Sequence, residues 1–371
     1  MQKTGNEMIK AFVNNYASES CAGDTKNLMH SIYNHKTGIT LDKTYMQDTQ
    51  VGLGMMKYDD FFELLHKVVD DVLQKSNLDN FHDTLLIVGS SVGGMKESEG
   101  HYFRDKNYKN IDPDRHAISV VAQSLDDMFH FVSNRSISTA CTSSANALLL
   151  AKRLINVGAY DNILVVGADA LCYTTVCGFY ALSVLSCDVC KPFDEAREGM
   201  NVSEAIGAIL LQNKQSEDSV ELVGVGASSD AYHMTNPDPS ASGAIKSMQN
   251  ALEDAKLKPQ DIDYINAHGT GTLANDTVEA FGVEKLFGSD VCMSSTKAIT
   301  GHTLGAAAAI EAIISCEVIK HSLIPSQANL QKAQNQNVNV LKQNKKQDVK
   351  YVLSNSFAFG GNNTSVIFKK V

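Results

Sequence analysis

A chain of 371 residues with 43% hydrophobic and 20% charged residues, 25 Gly and 6 Pro has a globular composition rather than a collagenous or Pro-rich disordered one, and its length calls for two domains or two halves of one layered domain. Its 32 Lys+Arg against 42 Asp+Glu give a net charge of −10, which disfavours general affinity for nucleic acid or an anionic membrane surface. The N-terminus lacks the apolar core of a signal peptide, and the longest apolar window, "HTLGAAAAIEAIISCEVI", is interrupted by Glu311 and Glu317, so the reading is a cytoplasmic protein with no membrane span and eight reduced cysteines.

In chain order, the helical pattern "DDFFELLHKVVDDVLQKSNL" precedes the apolar run "TLLIVGSS", a strand. Next, "SISTACTSSANALLLAKRLI" passes from a β-branched run into a helical pattern at Cys141. That places Cys141 at the first turn of a helix, where the positive end of the dipole stabilises a thiolate. The strand "NILVVGADAL" follows. Cys187 and Cys190 form a CxxC with Cys172 and Cys177 upstream, but the upstream pair lies in an apolar stretch without the spacing of a zinc knuckle, so the four are read as thiols and no metal is expected.

The alternation resumes with the strand "VELVGVGASS", the helix "GAIKSMQNALEDAKL", the strand "DYINAHGTGT", the helix "NDTVEAFGVEKLF", the strand "VCMSSTKA" and the helix "GAAAAIEAIISCEVIKHS". The polar stretch "QKAQNQNVNVLKQNKKQD" reads as a surface excursion in which Val338, Val340 and Leu341 suggest a short strand. Strands apolar on both faces belong to sheets covered by helices on either side, so the fold class is α/β.

Polar and glycine-rich residues gather at three strand ends, "NAHGTGT", "SSTKAITGHTLGAA" and "SNSFAFGGNN", where ligands of α/β sheets bind. "HGTGT" has neither the P-loop nor the dinucleotide-fold glycine spacing. Cys141 with His268 and His302 supplies a nucleophile and two proton-moving partners, the equipment of thioester chemistry.

On these residues the chain resembles the elongating β-ketoacyl-[acyl carrier protein] synthases of the thiolase-fold superfamily. The resemblance rests on "STACTSSANAL", "KPFDEAREG", "SSDAYHMTNPDPSASG", "INAHGTGTLANDTVEA", "STKAITGHTLGAAAAIEAI" and "LSNSFAFGGNNTSVIF", in the family's order across residues 136 to 368. It implies a thiolase-like fold of two similar βαβαβ halves stacked as five layers (αβαβα), with residues 1–216 carrying the nucleophile and residues 217–371 the histidines and a glycine-rich gate loop. It further implies decarboxylative condensation of an acyl thioester on Cys141 with malonyl-[acyl carrier protein]. His268 and His302 are then the histidine pair and Lys297 their supporting cation, with Glu311 a buried acid near it. Cys141 and Phe359 form the oxyanion hole, Phe359, Gly360 and Gly361 the gate, and Thr270 and Thr272 hold the pantetheine arm. No bound cofactor is implied, because phosphopantetheine arrives on the acyl carrier protein. The implied assembly is a homodimer, or a heterodimer with a related ketosynthase or chain-length-factor subunit.

Several positions depart from the family pattern. In "REGMNVSEAIG", Met200 stands in place of a Phe near the histidines, and Ser203 and Ala205 replace glycines that permit close packing. Ala358 stands where Gly is common, and the first 60 residues lack the usual glycine-rich opening. These departures suggest a specialised pathway such as polyene or polyketide assembly. They also keep a second reading open, a non-catalytic chain-length partner of an active synthase, although such partners usually lose the nucleophile that this chain retains. A cysteine hydrolase is the third reading, and the condensing motifs argue against it.

Overall fold

The computed structural model describes residues 8–46 and 49–371. The first half supplies β1 (Phe12–Ser20), α1 (Phe61–Lys75), β2 (Thr84–Gly89), α2 (Val120–Phe129), β3 (Ser133–Ile137), α3 (Ser143–Asn156), β4 (Asn162–Asp169), α4 (Tyr173–Ala181) and β5 (Ala205–Gln212). The second supplies β6 (Val220–Ser229), α5 (Ser242–Ala255), β7 (Tyr264–Asn266), α6 (Leu273–Phe287), β8 (Cys292–Ser294), α7 (Ala307–His321), β9 (Asn339–Val340), β10 (Tyr351–Phe357) and β11 (Asn362–Lys370).

The strands run β1-β5-β4-β2-β3 in one sheet and β6-β11-β10-β7-β8 in the other, with β9 added outside β8. Counted within its own sheet, each is ordered first, fifth, fourth, second, third. In both, the last three are parallel and the fifth strand is antiparallel to its neighbours. The two first strands meet through Phe12↔Glu221 and Val13↔Val220, which joins the sheets at one corner.

Helices α3 and α7 pack between the sheets, α1 and α2 cover the outer face of the first, and α5 and α6 cover the second, giving five layers. The sequence of α7, "AAAIEAIISCEVIKH", is apolar on nearly every side, as a helix enclosed by two sheets requires. Burial of Ile310, Ile313, Ile314, Val318 and Ile319 contributes about 2 kcal/mol for each side chain. The excursion does hold a short strand, β9, which extends the second sheet in parallel with β8.

β1 carries buried polar residues. Asn14 donates to Gln212 Oε1 at 2.7 Å and accepts from the Ser219 hydroxyl at 2.6 Å, so its amide is satisfied inside the fold.

Candidate active site

The chain leaves β3 and turns sharply before α3. Ala140 lies in the left-handed region at φ +53°, which costs a non-glycine residue on the order of 1 to 2 kcal/mol. Two side chains hold the turn: the Ser143 hydroxyl donates to Ala140 O at 2.6 Å and accepts from Thr139 N at 3.0 Å, and the Thr142 hydroxyl donates to Thr139 O at 2.7 Å. Cys141 therefore sits just ahead of α3, with Thr142 as the cap, rather than within its first turn.

The expected thiolate is corrected by burial. Desolvation pushes the Cys141 thiol up to about 12, against the opposing pull of the Lys297 charge and with the Asp169 charge raising it further. The backbone N–H groups of Cys141 and Phe359 favour its charged form. The helix dipole is present, but a desolvated sulfur outweighs it, and Cys141 rests as a thiol.

His302 Nε2 lies 3.0 Å from Cys141 Sγ. The His268 ring stands edge-on to it, with centroids 5.2 Å apart at 87°. Burial, then the Lys297 charge, holds both imidazoles well below the usual 6.5, with His302 a further influence on His268. Both rings are neutral at pH 7. Lys297 Nζ sits 3.4 Å from His268 Nδ1, donates to the His268 carbonyl at 2.6 Å and pairs with the Glu311 carboxylate. A cation beside Nδ1 assigns the His268 proton to Nε2.

Local backbone contacts explain why the histidines stand still. Glu279 on α6 accepts from the backbone N–H of His268 at 2.8 Å and of Gly269 at 2.7 Å. Burial pushes this carboxyl up to about 7 even though these bonds pull it down. His302 donates its N–H to Asn201 O at 2.7 Å and accepts from Ser203 N at 2.9 Å, so the divergent segment is the one that clamps His302.

Cys141, His268 and His302 open onto a cavity of about 210 Å³ that also meets Thr270, Thr272 and Met200. Phe359 stands at its wall, its ring centroid 5.9 Å from that of Phe179 on α4. Gly360 (φ +86°) and Gly361 (φ +77°) form the turn after it, and a Cβ on Gly361 would come 2.2 Å from Asp230 Oδ1. Thr270 and Thr272 share a hydroxyl contact of 2.9 Å, and Thr272 also caps α6. The buried Arg197 fixes this turn by donating to the carbonyls of Thr272 at 3.3 Å and Leu273 at 3.1 Å.

Cys141, His268, His302, Thr270, Thr272, Met200 and Phe359 thus line one cavity, with Lys297 and Glu311 behind the histidines and Gly360 and Gly361 in the turn after Phe359. Glu279, Asn201, Arg197 and Phe179 were not singled out, although "KPFDEAREG" and "NDTVEA" contain two of them. The departures are accommodated: Ser203 fills space left by Gly54 and Gly301, whose Cβ atoms would lie 2.1 Å from its Oγ and 2.6 Å from its Cβ. Ala358 needs no positive φ, and its N–H closes the hairpin on Asn362 O at 2.8 Å.

Residues 4–217 match the family model described as beta-ketoacyl synthase, N-terminal domain, and residues 219–331 match beta-ketoacyl synthase, C-terminal domain. The chain belongs to the β-ketoacyl synthase family. Among relatives in this family, "3-oxoacyl-[acyl-carrier-protein] synthase 2" of Rhizobium meliloti (strain 1021) is 35% identical over 312 residues, 77% of this chain and 74% of the relative. The protein of the same name from Staphylococcus aureus (strain N315) is 32% identical over 323 residues, 79% and 76%. Among solved β-ketoacyl synthase structures, a chain of the complex of the ketosynthase ApeO with its chain length factor ApeC from Xenorhabdus doucetiae superposes with a TM-score of 0.88 at 28% identity, covering 98% of both chains. A β-ketoacyl synthase from Burkholderia phymatum STM815 superposes at 0.90 with 24% identity, covering 98% of this chain and all of that one. The five-layered thiolase-like fold read from the sequence is the fold found.

Proposed function

We propose that this β-ketoacyl synthase family member is a condensing acyltransferase that joins an acyl group held on Cys141 to a malonyl unit carried by an acyl carrier protein. The observation that carries the reading is the 3.0 Å contact between the Cys141 thiol and the neutral His302, with His268 beside it in the same cavity.

In the first step Cys141 Sγ attacks the carbonyl carbon of the incoming acyl thioester. The thiol proton passes to His302 Nε2 and on to the departing pantetheine sulfur. Negative charge on the carbonyl oxygen is met by the N–H groups of Cys141 and Phe359. In the second step the malonyl carboxylate leaves as carbon dioxide, and the electron pair passes into an enolate whose oxygen accepts from Nε2–H of His268. The carbanion attacks the acyl carbon, the bond to Sγ breaks, and the released sulfur regains a proton taken from solvent and relayed by His302 Nε2. Neutral imidazoles suit the two steps, because His302 has a free Nε2 to take the thiol proton and His268 an Nε2–H to donate.

In this reading Thr270 and Thr272, which line the cavity, bond the pantetheine arm, and the Phe359–Gly360–Gly361 loop admits it. We read the assembly as a homodimer, or a heterodimer with a related ketosynthase or chain-length-factor subunit. β3, the outer strand of its sheet among the described residues, is the candidate for pairing across the two-fold.

The test is intact-mass analysis after incubation with acyl-carriers of several lengths and then malonyl-carrier, with the related subunit added when one is encoded beside it. A mass increment lost in Cys141→Ala and discharged by malonyl-carrier as a product two carbons longer supports the reading. Product formation that survives Cys141→Ala in the reconstituted pair supports the chain-length partner instead.

A further inference from the structure

We propose that Asp169 is a positioning residue that sets the Cys141 turn of one half against the His302 loop of the other, an inference that rests on the condensing reading above for its kinetic consequence. Asp169 closes β4 and is 1% exposed. Its Oδ1 accepts from Ser90 Oγ at 2.6 Å, Ser91 N at 3.0 Å and Val92 N at 2.9 Å, and its Oδ2 from Ser91 Oγ at 2.6 Å and Gly305 N at 2.6 Å. Five donors converge on one side chain, and a group that only accepts is the one that satisfies them all.

The two sets of donors belong to different halves. Ser90, Ser91 and Val92 follow β2, and Ser90 N donates to Ile137 O at the end of the strand that leads to Cys141. Gly305 is three residues past His302, after Leu304 in the left-handed region at φ +55°. Around this point the halves meet backbone to backbone. A Cβ on Gly305 would come 2.8 Å from Ser91 N and 3.0 Å from Ser90 C, and one on Gly167 would come 3.1 Å from Ala306 Cα. Ser144 Oγ, in the first turn of α3, accepts from Ala309 N at 3.0 Å in the first turn of α7. With no slack in the seam, a shift at Gly305 reaches His302 and changes its distance to Cys141.

Asp169 also bears on the thiol by its charge. Sγ contacts the neutral His302, with the neutral His268 beside it, and feels the Lys297 cation, which favours the thiolate, and the Asp169 anion, which opposes it. A residue that merely filled space would have no such electrostatic signature.

The experiment is Asp169→Asn, which keeps the size of the side chain and removes its charge. Condensation kcat is expected to fall by about tenfold or more while KM for both carrier thioesters stays within about threefold, because geometry at the reacting atoms is lost and the substrate contacts are not. The midpoint of iodoacetamide alkylation of Cys141 against pH is expected to move to lower pH. A folded variant with unchanged kcat and an unchanged alkylation midpoint overturns the proposal. Should Asp169→Asn fail to fold, Ser91→Ala removes one donor to the carboxylate and a neighbour of Gly305 N, and a lowered kcat with steady KM supports the latch where an unchanged kcat overturns it. Alkylation needs no acyl substrate, so a wild type without condensing activity would refute the enzymatic reading while leaving the alkylation midpoint to decide the role of Asp169.

Discussion

Cys141 Sγ and His302 Nε2 stand 3.0 Å apart although 161 residues separate them and they follow equivalent strands, the third of each sheet. The contact joins a thiol held protonated by burial to an imidazole held neutral by burial and by Lys297. Proton transfer between them is uphill at rest and becomes favourable when an acyl carbonyl takes up the developing charge. Alkylation of Cys141 should therefore be slow at pH 7 and keep rising with pH past 9, the ordinary thiol value, instead of levelling near it. A plateau at or below pH 8 would show that the thiolate forms readily and would sink this account.

Lys297 acts on all three groups and is itself paired with Glu311. In Lys297→Met the thiol should titrate higher, since the cation that favours the thiolate is gone, and the imidazoles should titrate closer to 6.5. Glu311 would be left as a buried carboxylate without its partner, a change that costs about 3 to 5 kcal/mol when a buried pair is broken. The expected result is a lowered Tm together with loss of condensation. Lys297→Met, Glu311→Gln should recover most of the Tm and none of the activity, and a double variant no more stable than the single one would contradict the pairing.

The imidazoles also make stability depend on pH. A histidine whose folded pKa lies below 6.5 binds its proton more readily when unfolded, so its contribution to stability is present above pH 6.5 and is lost as pH falls from there toward the folded value. Glu279 has the opposite sign: raised from 4.5 to about 7, it contributes fully below 4.5 and loses that contribution as pH rises through about 7. Comparing Tm from pH 5 to pH 8 for wild type and for His268→Asn, His302→Asn isolates the first effect. Wild type should lose more stability on acidification than the double variant; equal losses would show that the rings are not held neutral.

Much of this was legible in the sequence. The strands apolar on both faces, the helix α7 and the cluster at three strand ends all follow from residue patterns, because burial on both sides leaves no other composition. β1 was missed, since Asn14, Ser18 and Ser20 lie buried in it and satisfy their polar groups through partners such as Gln212 and Ser219, roughly 200 residues away in the case of Asn14. The repeat of two similar halves was legible through the family resemblance, whereas the strand order within each sheet was not, because two sheets can share a topology without sharing side chains. At the site, the residue types announced nucleophile and histidines, whereas the thiol's protonation was misjudged: a dipole can be read from a helix start, but desolvation depends on what closes over it.

Ser203 tests whether the divergent segment has been compensated nearby. Gly54→Ala would put a Cβ 2.1 Å from Ser203 Oγ, 2.6 Å from its Cβ and 2.9 Å from Cys21 Sγ, an overlap that backbone and side chains must relieve by moving. Because Ser203 N bonds to the His302 carbonyl, that movement should reach the His302 ring and lower kcat as well as Tm. Ser203→Gly alone loses the hydroxyl's bond to Gly54 O at 3.0 Å and is expected to cost about 1 kcal/mol. In Gly54→Ala, Ser203→Gly two of the three clashes vanish, so the pair should be more stable than the sum of the singles predicts by about 1 kcal/mol or more. Thermal melts of the four proteins complete the cycle. Strict additivity would mean that Ser203 does not fill the space beside Gly54, and the divergence at this position would then have no packing counterpart.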